Sequence, residues 1–224
     1  MTSNGFLVMK ILAIETAGDA CSVALLCGDD CIERIQRSSR GHSQLLLPMV
    51  ESVLAEAGIP LAECDAIAYG KGPGSFTGLR IGVGVTQGLA YGAGLPVIGV
   101  SSLAALAWQT GEPMVLACID ARMDQVYWGS YRRNASNTVQ LIGSESVSNP
   151  DHVHAEPVCW GVGSGWDMYS QRLASAAGDA LRGWSPDCVP LARATARIAI
   201  AQVGEATEAQ LASPEYIRNT VTRG

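Results

Sequence analysis

The chain has 224 residues, a formal charge of −6, 16% charged residues and 48% hydrophobic ones. That apolar share excludes a disordered polymer, and the length supports one large domain or two small ones. The negative balance excludes the positive field of a protein that grips nucleic acid unaided, so any work on RNA needs a partner for most phosphate contacts.

In chain order, the lead before Lys10 is expected to be a loose end and not a signal peptide, because its short apolar stretch is broken by Lys10 and ended by Glu15. Residues 10–16 read as a strand and 17–19 as a turn. Residues 20–27 and 31–38 read as two more strands around the tight turn Gly28-Asp29-Asp30. Residues 43–57 form a helix with Leu46, Met49, Val50, Val53, Leu54 and Ala57 on one stripe, closed by Gly58. Leu45 widens its apolar arc, as in a helix buried on two sides. A buried strand at 65–70, a Gly/Pro loop, a helix at 78–92 and a strand at 96–100 follow, and Ser102 is placed to cap the next helix. No charge lies between Arg80 and Glu112, but glycines and Pro96 punctuate that stretch, which favours buried helix, strand and helix over a membrane span.

The second half begins afresh, with strands at 115–119, 125–132, 138–142 and 157–161. A helix then runs to about Ala177 and a last one covers 192–206, before an aperiodic tail from Pro214. Two β-β-β-α-like halves imply a duplicated α/β architecture with an eroded second copy. The seven cysteines are odd in number and lack C-x-x-C, which points to reduced thiols in a cytoplasmic chain.

The strongest local feature is the loop Lys71-Gly-Pro-Gly-Ser-Phe-Thr-Gly78 between a strand and a helix. Gly72, Gly74, Ser75 and Thr77 suit either a tight structural turn or contact with a phosphate at the helix N-terminus. It is not a Walker loop, because its lysine precedes the first glycine. Along the helix, Gly84, Gly88 and Gly92 make one bare stripe, with Gly78 and Gly82 on a neighbouring row. Each internal glycine costs about 1 kcal/mol relative to alanine, so a compensating contact is expected, either from the 43–57 helix or from a partner. Glu15 and Thr16 suit a hairpin acid or a Mg²⁺ site near phosphate. Gly161, Gly163 and Gly165 resemble a second phosphate loop, though weakly. Asp120 and Asp124 are either a carboxylate pair or a hairpin held by Arg122. Arg193 and Arg197 read as a solvated helix face, and Arg34, Arg37 and Arg40 as a basic cluster too small to hold RNA. The histidines, His42, His152 and His154, have no metal-ligand spacing, and no G-x-S-x-G elbow occurs.

The segments ILAIETAGDACSVALL, HSQLLLPMV, YGKGPGSFTGLRIGVGVTQGLAYGAGLPVIGVSSL and IDARMDQVYW, with the later GVGSGW and EYIRN, resemble the bacterial TsaB (YeaZ) family. The likeness is specific over 10–130 and looser over 157–218. It implies a two-lobed actin-like ATPase (ribonuclease H-like) fold. The first lobe would be 10–104 plus 191–215, the second 105–190, and the ends 1–9 and 216–224 flexible. It also implies a noncatalytic relative of the threonylcarbamoyl transferase TsaD, a scaffold that pairs with itself and with TsaD and is joined by the ATPase TsaE. That assembly makes N6-threonylcarbamoyladenosine beside the anticodon of tRNAs reading codons that begin with A, with tRNA reached only through the complex and no membrane involved. The H-x-x-x-H metal pair of TsaD-like enzymes does not carry over, because the position four after His42 is Leu46. No catalytic residue, metal or tightly bound cofactor is therefore expected, and nucleotide (ATP or ADP) only at a joint site with partners. The implied interface is His42, Leu45, Leu46, Met49 and Val53 on one helix and Arg80, Gly84, Gly88 and Gly92 on the next. The rivals are a stand-alone actin-fold ATPase or phosphotransferase and, more remotely, a glycoprotease-type peptidase.

Overall fold

The computed structural model describes residues 8–37, 41–156 and 158–218. The first sheet begins with β1 (Lys10–Glu15), β2 (Ala20–Cys27) and β3 (Asp30–Arg37), paired antiparallel in turn. β1 and β2 are buried almost throughout, as their unbroken apolar runs require. Helix α1 (His42–Ala57) leads to β4 (Ala66–Gly72), α2 (Phe76–Ala93), β5 (Val97–Ser101) and α3 (Ser102–Gln109). β4 runs parallel to β1 and to β5, giving the order β3-β2-β1-β4-β5.

The second sheet contains β6 (Met114–Arg122), β7 (Gln125–Arg133), β8 (Val139–Ser148), β9 (Cys159–Val162) and β10 (Leu181–Ser185). Its order is β10-β9-β6-β7-β8, with the same antiparallel and parallel pairings as the first sheet. Both sheets thus follow one plan, and the whole is the two-lobed, actin-like, ribonuclease H-like α/β architecture. The erosion is confined to helices. In the place of α1 the second lobe has only a 3-10 turn at Pro150–His152, before α4 (Ser164–Ala177) and α5 (Ala192–Ala201).

The layers run α1 and α2, first sheet, α3 and α5, second sheet, α4. The middle helices are exchanged: α3 follows the first sheet yet packs more on β6, β7 and β8 than on its own β4 and β5, while α5 follows the second sheet and packs on β1, β2 and β4. One core therefore passes through both lobes, from Ile11 and Ala13 through Leu103, Leu106 and Ile198 to Val115 and Ala117. Each fully buried aliphatic side chain there contributes about 1.5–3 kcal/mol.

Several expectations need correction. Ser101, not Ser102, caps α3, accepting from the Ala104 N–H at 3.2 Å. The last helix stops at Ala201 and gives way to a 3-10 turn at Val203–Glu205, because Gly204 interrupts the run. β10 was not foreseen. The expected lobe boundary at 104/105 falls inside α3. Arg193 and Arg197 are not a free solvated face, since they tie α5 to Glu33 and to the carbonyls of Gly28 and Asp29. Arg34 and Arg37 pair with Glu56 and Asp187. Ser38 of the expected third strand, Arg40 and Pro157 lie outside the described residues, as do 1–7 and 219–224.

Candidate functional site

At the end of β1, Glu15 is fully buried. Its Oε1 accepts from the N–H groups of Thr16 and Ala17, both at 2.9 Å, and its Oε2 accepts from the hydroxyls of Ser102 at 3.2 Å and Thr195 at 3.3 Å. Burial pushes this carboxyl above the usual carboxylate range, and the hydrogen bonds pull against it. Glu15 does not line the cleft between the lobes, so it is not placed to hold Mg²⁺ there. It pins β1, α3 and α5 where they meet.

Thr16 is also buried, and its hydroxyl donates to the Gly78 carbonyl at 2.9 Å. A Cβ on Gly78 would lie 2.1 Å from the Thr16 carbonyl oxygen, and one on Gly82 would lie 2.3 Å from the Thr16 hydroxyl. These two glycines are bare so that the turn after β1 can rest on α2. Gly74 likewise admits Ala17, whose carbonyl accepts from the Ser75 N–H at 2.7 Å. The Ser75 hydroxyl caps α2 by accepting from the Gly78 N–H at 3.3 Å. Gly72 packs on Leu79, and Thr77 is exposed. The loop makes a tight turn in which the Ser75 hydroxyl is spent on capping α2, and its Gly74 and Ser75 also line the cleft between the lobes. Gly161, Gly163 and Gly165 serve packing in the same way. A Cβ at each would come within 2.4 Å of Trp166, 2.4 Å of the Cys118 carbonyl and 2.8 Å of the Cys118 side chain, respectively. Of that turn only Ser164 lines the cleft, where its hydroxyl accepts from the Asp120 N–H at 3.1 Å.

The cleft has a volume of about 890 Å³. Its lining brings together the carboxylates of Asp19, Asp120, Asp167 and Glu215, against the guanidinium groups of Arg122 and Arg218 and no lysine. Arg122 is paired with Asp120 at 3.0 Å, and Lys71 with Glu215 at 2.8 Å. The lining carries more carboxylates than cations, so it offers a bare triphosphate no net attraction. Asp120 and Asp124 are not a working pair, because Asp124 belongs to Arg172. Among the described residues, no three His, Cys, Asp or Glu side chains gather as a metal-ligand set.

The outward face of α2 is different. Gly84, Gly88 and Gly92 are exposed, and a Cβ on any of them would meet no atom within 4 Å. Helix α1 is therefore not the body that needs them bare. Arg80 stands at one end of this row with its guanidinium 3.8 Å from the Phe76 ring centroid, and Tyr91, 80% exposed, stands at the other. On α1, Leu45 is half-buried and reachable, but His42, Leu46, Met49 and Val53 are buried in their own lobe. The apolar stripe that was assigned to a partner is the one that meets the first sheet. Leu47 and Tyr91, both exposed, were missed. Leu47 lies out of phase with the buried stripe, and Tyr91 follows Gly84 by seven positions, so spacing alone could have found them. Also missed was a cluster in which the Ser101 and Tyr131 hydroxyls donate to the half-buried Glu145 carboxyl, which desolvation pushes above the usual range.

A family model described as TsaD: tRNA N6-adenosine threonylcarbamoyltransferase matches residues 36–164. The tRNA threonylcarbamoyladenosine biosynthesis protein TsaB of Escherichia coli (strain K12) is 40% identical over 229 residues, covering 95% of this chain and 96% of that protein. The TsaB of Haemophilus influenzae (strain ATCC 51907 / DSM 11121 / KW20 / Rd) is 35% identical, covering 96% and 95%. Among solved structures, YeaZ from Pseudomonas aeruginosa superimposes with a TM-score of 0.85 at 40% identity, over 93% of this chain and 99% of that one. Sequence and fold agree with these two TsaB proteins and with YeaZ over nearly the full length of both chains, and the chain belongs to the TsaB (YeaZ) family.

Proposed function

We propose that this chain is a noncatalytic scaffold of tRNA N6-threonylcarbamoyladenosine synthesis, acting with a TsaD-type transferase and a TsaE-type ATPase in the cytoplasm. Its family membership supports the pathway. The scaffold role rests on one observation: three exposed glycines in a row on α2 that nothing in their own chain requires. A helix laid on such a row approaches to backbone distance, which side chains would prevent. The docking face is Arg80, Gly84, Gly88, Tyr91 and Gly92 with Leu45 and Leu47 of α1 beside them, and a second copy of the chain can use the same face. A partner held there favours whichever state of its own site it contacts better. Nucleotide, in this reading, binds at the joint with partners and not in the acidic cleft, and tRNA is met through the complex.

The test is co-elution of the purified chain with a TsaD-type partner in size-exclusion chromatography. The variant Gly88→Leu has open space around the new side chain in the lone chain, so it folds but no longer co-elutes. Normal co-elution of that variant removes the docking face. The rival, a stand-alone ATPase, is checked by calorimetric titration with Mg-ATP, where micromolar binding with turnover would favour it.

A further inference from the structure

Residues 212–218 form neither helix nor strand, yet they are tied down one after another. The Ala212 carbonyl accepts from the Gln87 side-chain amide of α2 at 2.9 Å. The Ser213 N–H donates to the Tyr69 hydroxyl at 3.1 Å, and the Glu215 N–H donates to the Lys71 carbonyl at 2.8 Å. The Tyr216 ring packs on Phe76 with centroids 5.8 Å apart, and its hydroxyl accepts from Arg80 Nε at 3.1 Å. All of these ties are to the first lobe. Two residues later the chain reaches the second lobe, where Arg218 donates to the Ala121 carbonyl at 3.1 Å and to Gln125 Oε1 at 2.6 Å. Along this crossing, Glu215, Tyr216, Ile217 and Arg218 lie against the cleft of about 890 Å³.

We propose that residues 212–218 are a strap that closes the cleft between the lobes, with Tyr216 as its anchor on the first lobe and Arg218 as its latch on the second. Arg218 takes hold at the turn of Arg122, Met123 and Asp124, whose φ values of 60°, 55° and 58° are disfavoured for L-residues. The strap has no ladder or helix of its own. Side-chain ties at half-exposed positions let a segment open locally without unfolding the rest. The tail is aperiodic from Pro214, and the family resemblance implies a flexible end from 216; the order at 216–218 comes from these single contacts.

A cysteine already present reports on the strap. Cys188 lines the cleft and is partly covered, and burial with the neighbouring carboxylates of Asp167 and Asp187 holds its thiol above the usual range. Opening the strap widens the cleft that Cys188 lines and so raises its access to reagent. Full-length protein is treated with N-ethylmaleimide, and each cysteine is followed by peptide mass spectrometry. In Arg218→Ala, the rate at Cys188 rises about fivefold, the population change expected when the two partly exposed hydrogen bonds of the latch are lost. Gln125→Ala, which removes an acceptor of the latch from the other lobe, gives a smaller rise at the same site. Cys27 and Cys31, half-exposed and outside the cleft, keep their rates, and the fully buried Cys118 stays protected. An unchanged rate at Cys188 in both variants overturns the strap. So does a rise shared with Cys118, because the chain has then loosened as a whole.

Discussion

The junction from β4 into α2 and the junction from β9 into α4 occupy the same slot in the two sheets, and both are rich in glycine. In each, the inward glycines let a helix begin directly against a strand or turn: Gly78 and Gly82 against Thr16, Gly163 and Gly165 against Cys118. Only α2 goes on to present an outward row of glycines, whereas α4 continues with ordinary side chains. An inward glycine is explained by the chain that contains it. The outward row weakens the lone helix by about 3 kcal/mol relative to alanine and returns nothing to it, a cost that the proposed docking face would explain.

The largest expected effect separates the two rows. Gly78→Ala drives a methyl to 2.1 Å from a backbone oxygen, so it should lose more than about 3 kcal/mol or fail to fold. A thermal melt matching the unaltered chain would erase the distinction between inward and outward glycines. Gly88→Ala has the opposite sign. It should stabilise the isolated chain by about 1 kcal/mol, raising the melting temperature by about 2–4 °C, while weakening association with itself or with a TsaD-type partner. Gain of stability without loss of pairing, read by melting and by sedimentation, would leave the row unexplained.

The smallest effect concerns the acids at the ends of the two first strands. Asp120 of β6 reaches the cleft and pairs with Arg122, whereas Glu15 of β1 is sealed inside. Because the folded chain raises the Glu15 pKa, the native state holds that proton more tightly than the unfolded one. The associated stability is complete below the ordinary carboxylate range and is lost as pH rises through the raised value. Glu15→Gln keeps the acceptor for Thr16 and Ala17 and can donate to the two hydroxyls. Its stability relative to the unaltered chain should therefore climb as pH rises above the ordinary carboxylate range in urea titrations. A difference that stays flat across that range would place the charge of Glu15 in contact with water.

Most of the first lobe was legible because its signals are local. Unbroken apolar runs marked β1 and β2, Gly58 marked the end of α1, and the Gly/Pro loop marked the start of α2. β10 was not legible: its five residues alternate half-buried with exposed, and its apolar positions are interrupted by Arg182 and Gly183. The candidate site was legible in its glycines but not in their directions, which depend on whether Thr16 or open space lies opposite. The same limit sent Leu46 and Val53 to a partner when the first sheet already held them. Glu15 read as a hairpin acid or a Mg²⁺ ligand, and not as a sealed acid, because nothing in its neighbourhood announces Ser102 and Thr195, which join it from distant parts of the chain.

The exchange of α3 and α5 has a corollary for the gene. A message severed between Gln109 and Met114 would encode two fragments, each without the helix that keeps one side of its sheet dry: Ile11 and Ala13 uncovered in one, Val115 and Ala117 in the other. Neither fragment would be self-sufficient. An ancestral repeat could shed ornaments from its outer flank, yet the inner braid obliges both copies to be inherited as one piece.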